Sequence, residues 1–181
     1  MSLATTQMFQ NGVGYLSSLA RHRTSYHRLS MESMSKFEAI VRSVTDISEG
    51  YKPGLSAIGA NSQYVSAKDT RKLDGSVDID ACTHDKYPGD HRWDYVLSYD
   101  ERAFFVEVHP TTGGEVKEME AKLGWLKAWL KQHAKPLNEF PSGKPRFTWV
   151  SSGKCGLLKS SPEYRRAAML GLLPVKMLVL E

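Results

Sequence analysis

Two carboxylates, Asp94 and Glu107, stand near the two ends of one short stretch, Arg92 to Pro110, RWDYVLSYDERAFFVEVHP. The stretch reads as two strands joined by a tight turn at Asp100-Glu101, so that paired positions sum to 201. Asp94 then lies directly across from Glu107, and Arg92 across from His109. All four point to one face, because strand side chains alternate. Directly opposed residues hold their Cβ atoms about 4.5–5.5 Å apart, where like charges are destabilising. A divalent cation is the most economical compensation, and Mg2+ or Mn2+ suits a pair of carboxylates. Asp-Glu lacks the Gly or Asn that a two-residue loop prefers. A four-residue loop from Tyr99 to Arg102 keeps the pairing, whereas a three-residue loop breaks it. The opposite face carries Trp93, Tyr95, Leu97 and Tyr99 against Phe104, Val106 and Val108, and reads as the core face.

Two further residues bear on this pair. His109 has the chemistry of a general base or a metal ligand; its ordinary role would be a structural hydrogen bond at a strand end. Lys122 lies on the helix expected after the hairpin. At roughly 100° per residue it falls between Leu126 and Trp129 on the helical wheel, at the edge of the buried face. Its ammonium can reach the Asp94/Glu107 face, or its stem can simply cover apolar surface. The segment before the hairpin concentrates Asp78, Asp80, His84, Asp85, Asp90 and His91. Their spacing matches no zinc motif and no EF-hand loop, and most read as solvated. A metal enzyme of different chemistry would draw on Asp80, His84, Asp94, Glu107 and His109.

The elements that must position these groups follow from periodicity. A short helix is expected around Tyr15 to Arg23, with a basic cluster at Arg21, His22, Arg23, His27 and Arg28. A stronger helix is expected from about Met31 to Glu49, its apolar stripe formed by Met34, Phe37, Ile40, Val41, Val44 and Ile47. Ser35-x-x-Glu38 fits a capping box if the helix starts there. Residues 50–75 are loop-rich, with a short extended piece near Gln63 to Ser66. Val77 to Cys82 alternates and reads as a half-buried strand. After His109-Pro110, Thr111 or Thr112 can cap a long helix, with Glu115 supporting its first turn through the dipole. Met119, Leu123, Leu126 and Leu130 form its seam. A loop from Pro136 follows, then a strand at Phe147 to Val150. SSGK at 151–154 lacks the upstream glycine of a phosphate-binding loop. Ser161-Pro162-Glu163 starts a further helix, and Leu172 to Leu180 gives a final strand.

Composition bounds the rest. The chain has 181 residues, enough for one domain with a real core, and its 41% hydrophobic and 24% charged content is that of a globular protein. No apolar run approaches the roughly 20 residues of a membrane span, and the N-terminus lacks the pattern of a secretory signal. Cys82 and Cys155 make no ligand pattern or disulfide framework, which suits a reducing cytoplasm. Net charge is +4, unevenly spread: Asp69 to Glu107 holds ten acids against five Lys/Arg, and Lys117 to Arg166 holds eleven Lys/Arg against four acids. An acidic hairpin beside a basic helical region suits a metal centre next to a polyanion track, and is also what a solvated charged surface looks like. No linker or repeat divides residues 1–181, so one domain is expected.

The order helix, strand, hairpin, long helix, strand, with an aspartate opening the second strand and Glu-x-basic closing the third, resembles the PD-(D/E)xK nuclease-like, or restriction-endonuclease-like, superfamily. The resemblance covers roughly residues 31–150, with the helix and strand at 161–181 beyond it. It implies an α/β (α+β) fold with a central mixed sheet of four to five strands flanked by helices. It implies a metal-dependent nuclease, with Asp94 in WDYVL and Glu107 in FFVEVH as the Mg2+ or Mn2+ ligands. His109 stands where the family's motif has lysine, and no proline precedes Asp94. Some members carry the lysine on the following helix, which makes Lys122 the matching residue; Glu38 is a weak match to a first-helix acid. The implied partner is nucleic acid, DNA before RNA, contacted by Lys117, Lys127, Arg146 and Lys154, with a homodimer left open. The other reading keeps the fold as a catalytically weak or inactive module that binds nucleic acid or a protein partner.

Overall fold

The computed structural model describes residues 34–111 and 114–181. The predicted Tyr15–Arg23 helix with its basic cluster, the start of the predicted 31–49 helix, and Thr112 lie outside the described residues. Lys36–Glu181 gather into one compact unit. Its helices are α1 (Lys36–Ser43), α2 (Ile79–Thr83), α3 (Glu115–Gln132), α4 (Lys135–Glu139) and α5 (Pro162–Leu170). Its strands are β1 (Lys52–Pro53), β2 (Val65–Ala67), β3 (Leu73–Asp78), β4 (Tyr95–Tyr99), β5 (Arg102–His109), β6 (Ser142–Ser151) and β7 (Leu178–Leu180). No helix among the described residues is long and apolar enough to cross a membrane.

The fold is mixed α/β, built on a five-stranded mixed sheet flanked by helices, in the order β1-β3-β4-β5-β6. The first four strands pair antiparallel, and β5 pairs with β6 in parallel. A parallel neighbour requires a crossover, usually a helix, and α3 is that crossover. It covers the sheet face that carries Val77, Val96, Ala103, Phe105 and Trp149, using Val116, Met119, Leu123, Leu126 and Leu130. The predicted seam of this helix is therefore the buried one. The other face carries Leu97, Tyr99, Phe104, Val106 and Val150, and is closed by Ile58 and by Leu178 and Leu180 of β7. Strand β7 pairs in parallel with β2 to make a small second sheet.

The hairpin register is the expected one: Tyr99 pairs with Arg102 and Tyr95 with Val106. Two residues make the turn, and both have positive φ, 52° at Asp100 and 56° at Glu101. This is the mirror-image turn whose twist suits a hairpin, here without its favoured glycine. Burial of both faces departs from the one-sided core expected of the hairpin. Trp93 packs into the helix-covered core with Val96 and Phe105, not with Leu97 and Tyr99.

Three other expectations are corrected. Residues 77–82 do not continue as a strand: β3 ends at Asp78, whose Oδ1 accepts the Ala81 N–H at 2.8 Å and starts α2. β3 instead begins upstream at Leu73. Its Gly75 packs so closely that a Cβ there would meet Tyr51 at 2.2 Å. The predicted 31–49 helix ends at Ser43 and gives way to a 3-10 turn at Thr45–Ile47. Thr111 does not cap α3; its hydroxyl donates to Ser151 Oγ, and the cap position is Gly114. Ser161 does cap α5, accepting the Tyr164 N–H at 3.0 Å.

One buried acid fixes α3 against the rest. Asp46, in the 3-10 turn after α1, accepts from Lys86 Nζ at 2.7 Å, Tyr87 Oη at 2.8 Å and Trp129 Nε1 at 3.0 Å. Burial alone would raise its pKa, but these donors outweigh burial and hold it low.

A side chain in the left-handed region is strained, and glycine relieves that strain at the cost of a more disordered unfolded chain. Glu101 also pairs with Lys36 at 2.9 Å, but both are largely exposed, so that contact contributes little. We expect Glu101→Gly to melt above wild type and Glu101→Val below it, the two separated by about 1–2 kcal/mol. Equal melting temperatures would show that the turn carries no strain.

Candidate functional site

Regular pairing in the hairpin stops at Tyr95 and Val106, and the next pair, Asp94 and Glu107, replaces backbone bonds with side-chain ones. The Asp94 N–H donates to Glu107 Oε2 at 3.0 Å, and the Val108 N–H donates to Asp94 Oδ2 at 3.0 Å. Each carboxylate thus closes the other strand's backbone. The Asp94 carbonyl accepts the Ile79 N–H at 2.8 Å, which ties the start of α2 to the same point.

Strand alternation puts Glu107 on the face with Phe105 and Ala103, under α3, and it is 0% exposed. α3 runs back across that face and delivers Lys122. Its ammonium donates to Asp94 Oδ1 at 3.2 Å and to Glu107 Oε1 in a shorter contact. The side chain is 12% exposed against 19% for Asp94, so the three groups reach solvent through Asp94 and Lys122. The structure therefore brings together Asp94, Glu107 and Lys122.

The electrostatics follow from burial. Glu107 is raised well above the ordinary carboxylate range, first by desolvation and then by the charge of Asp94, against the opposing pull of Lys122. Burial works against charge on Lys122, but Glu107 and Asp94 outweigh it and raise its pKa. A further acid feels the charge of Asp94. Asp78 is raised by burial and by the charges of Asp80 and Asp94. Asp78 shares the register of Tyr95 and Val106, one residue out of phase with the pair and therefore on the other sheet face, and feels Asp94 across the strand end.

The donor set at Asp94 and Glu107 is all oxygen, which fits a hard cation such as Mg2+ or Mn2+. All four of their oxygens already accept hydrogen bonds, and each retains a further lone pair. Lys122 supplies positive charge at both carboxylates.

The remaining candidates disperse. Arg92 does not face His109; it binds Asp80 at 2.7 Å and the Tyr87 carbonyl at 2.6 Å, because residues 84–94 form a loop and not a strand extension. His84 is exposed and bonds its neighbour Asp85. Glu38 pairs with Arg42 within α1. His109 is the exception: its Nδ1 stays 3.8 Å from Glu107 Oε1, while its Nε2 reaches α3, 2.8 Å from Glu115 Oε2 and 4.0 Å from Glu118 Oε2. Glu115 and Glu118 were not read as site residues.

The expected backbone-binding cations do not form one track. Lys117 and Lys127 are exposed, but each sits five residues from Lys122, about 140° around the helix. Lys127 lies over the Phe147 ring at 5.7 Å. Arg146 is not a groove residue: it stacks on Phe105 and Phe147 and donates to Asn138, half-buried. Lys154 is exposed in the loop after β6.

No protein-family model, curated protein or solved structure matches this chain. The functional reading therefore rests on the geometry above.

That geometry has a pH signature. A free glutamate of this kind titrates near 4.5. Folded Glu107 binds its proton more tightly than the unfolded chain does. Its contribution to stability is thus full below that pH and is lost as pH rises through the elevated value. Glu107→Gln removes the titration. We expect the melting temperature of Glu107→Gln to gain on wild type as pH rises from about 4 to about 8 in metal-free buffer. A gap that stays flat, or moves in wild type's favour, would mean that Glu107 is ionised and held so by Lys122.

Proposed function

We propose that Asp94, Glu107 and Lys122 form the reacting end of a divalent-metal-dependent nuclease-like protein that hydrolyses or processes nucleic-acid phosphodiesters. The observation that carries this reading is the arrival of Lys122, from the helix after the hairpin, at both carboxylates. Asp94 and Glu107 would hold Mg2+ or Mn2+, which supplies a water of lowered pKa and neutralises phosphate charge. Asp94, the more exposed carboxylate, would orient the ion toward solvent, while Glu107 anchors it from within. Lys122 would hold its proton and direct its ammonium at charge developing on the phosphate oxygens. The order helix, strand, hairpin, long helix, strand supports the PD-(D/E)xK likeness, as does the mixed sheet. DNA is the first substrate to try.

A second reading keeps the fold without cleavage. It is favoured by His109, which stands at the motif's lysine position and is engaged with Glu115, and by the internal use of all four carboxylate oxygens.

The test is cleavage of a panel of single- and double-stranded DNA and RNA with added Mg2+ or Mn2+. Asp94→Asn and Lys122→Gln should each lower the metal-dependent rate by about 100-fold or more, with circular dichroism unchanged. Cleavage that persists undiminished in folded Asp94→Asn protein rejects the site. Metal-dependent nucleic-acid binding without turnover selects the second reading.

A further inference from the structure

The end of β5 and the first turn of α3 bring together three donors that neither reading uses as a set. One ligand atom each from His109, Glu115 and Glu118 lies within 4.8 Å of the other two. We propose that these residues form a separate site for a transition-metal ion of the Zn2+ class, with His109 Nε2 and one oxygen of each glutamate as ligands.

The helix dipole accounts for acids in a first turn, but it does not account for an imidazole brought between them from a strand. His109 comes from β5, and its Nε2 stands 2.8 Å from Glu115 Oε2 and 4.0 Å from Glu118 Oε2. Ligands about 2.1 Å from a tetrahedral ion stand about 3.4 Å from one another. Both distances need to change by less than about 1 Å, a shift within reach of glutamate rotamers. Glu115 and Glu118 are three apart and so share one helix face.

A second observation lies behind the imidazole. Oε1 of Glu107, itself 0% exposed, stands 3.8 Å from His109 Nδ1. An ion on Nε2 requires the ring proton on Nδ1, where this carboxylate faces it. A carboxylate hydrogen-bonded to the second ring nitrogen is the usual support of a metal-bound imidazole, and Glu107 stands a little beyond that distance on the correct side of the ring.

The chemistry selects the ion. Imidazole nitrogen draws zinc and its transition-metal neighbours over magnesium. Three protein ligands leave a fourth position for water. Such an ion would tie the strand end to the helix start and so set how far along the sheet α3 presents Lys122, two turns further on.

The experiment uses the full chain and Zn2+ alone, followed by calorimetry and by melting temperature, with Co2+ absorption as a spectroscopic reporter of a nitrogen-bearing four-coordinate site. One equivalent should bind, Zn2+ should outcompete excess Mg2+, and the protein should melt higher. Glu118→Gln, on an exposed side chain, and Glu107→Gln, behind the ring, should each weaken binding by about tenfold or more. Asp94→Asn and Cys155→Ser should leave it unchanged. Affinity unaltered in Glu118→Gln, or lost in Cys155→Ser, overturns the proposal, as does the absence of a stoichiometric Zn2+ site. The nuclease reading fails on a different result, cleavage that survives Asp94→Asn, so the two are judged separately.

Discussion

Lys122 placed between two carboxylates at the open end of a hairpin is the constraint on which the surrounding architecture turns. A buried glutamate with no partner is costly, and breaking such a pair from one side typically costs about 3–5 kcal/mol. Glu107 lies under α3 only because strand alternation puts it on the same face as Phe105. A one-residue slip would move Val106 or Val108 into that place and push Glu107 into the apolar cluster of Leu97 and Phe104. The slip is opposed by the carboxylates themselves, since each accepts a backbone N–H from the other strand. Register, helix crossover and charge pair therefore reinforce one another. The Asp46 cluster does the corresponding work at the far end of α3, where Trp129 donates to the same carboxylate as Lys86 and Tyr87.

What could be read from the chain was what depends on period. The pairing of Asp94 with Glu107 follows from a period of two, and the position of Lys122 at the margin of the α3 seam follows from a period of 3.6. The helix at 162–170 announced itself through Ser161 and Pro162. What escaped depends on close approach and on local caps. The segment after Val77 alternates like a strand, yet Asp78 bonds the Ala81 N–H and turns the chain into α2. Gly75 falls at the end of the stretch that reads as loop-rich, yet it sits within β3, with Tyr51 packed over it. Arg92 reads as a strand residue opposite His109, but a nearby carboxylate, Asp80, holds it in the loop. Glu115 and Glu118 were hidden by a sufficient local reason, the favourable field of a helix start. The overlooked sign was a histidine at the preceding strand end, six residues before Glu115.

Charge near the pair is only partly balanced from within. Asp94 and Glu107 meet at the hairpin's open end, Lys122 is the ammonium that touches both, and Asp78 lies within the field of Asp94. Burial is the first cause of the rise in both Glu107 and Asp78, and Asp94 adds to each. In a low-dielectric setting such groups keep a proton or take up a cation. On the proposed function, such a centre would be tolerable without an ion and better satisfied with one. Full neutralisation by arginine, as in the Asp80–Arg92 pair, would have left nothing for a metal to relieve.

His109 links this centre to the start of α3. One ring nitrogen faces Glu107 and the other faces Glu115, so the imidazole lies between a buried acid and a half-exposed one. The ammonium at the carboxylates comes from α3, and the strand end carries a ring able to bond in two directions. Supply from α3 puts the ammonium beside both Asp94 and Glu107. It also makes the placement of Lys122 depend on how the β5 end is fastened to the helix start, so that contacts at His109 bear on a lysine they do not touch.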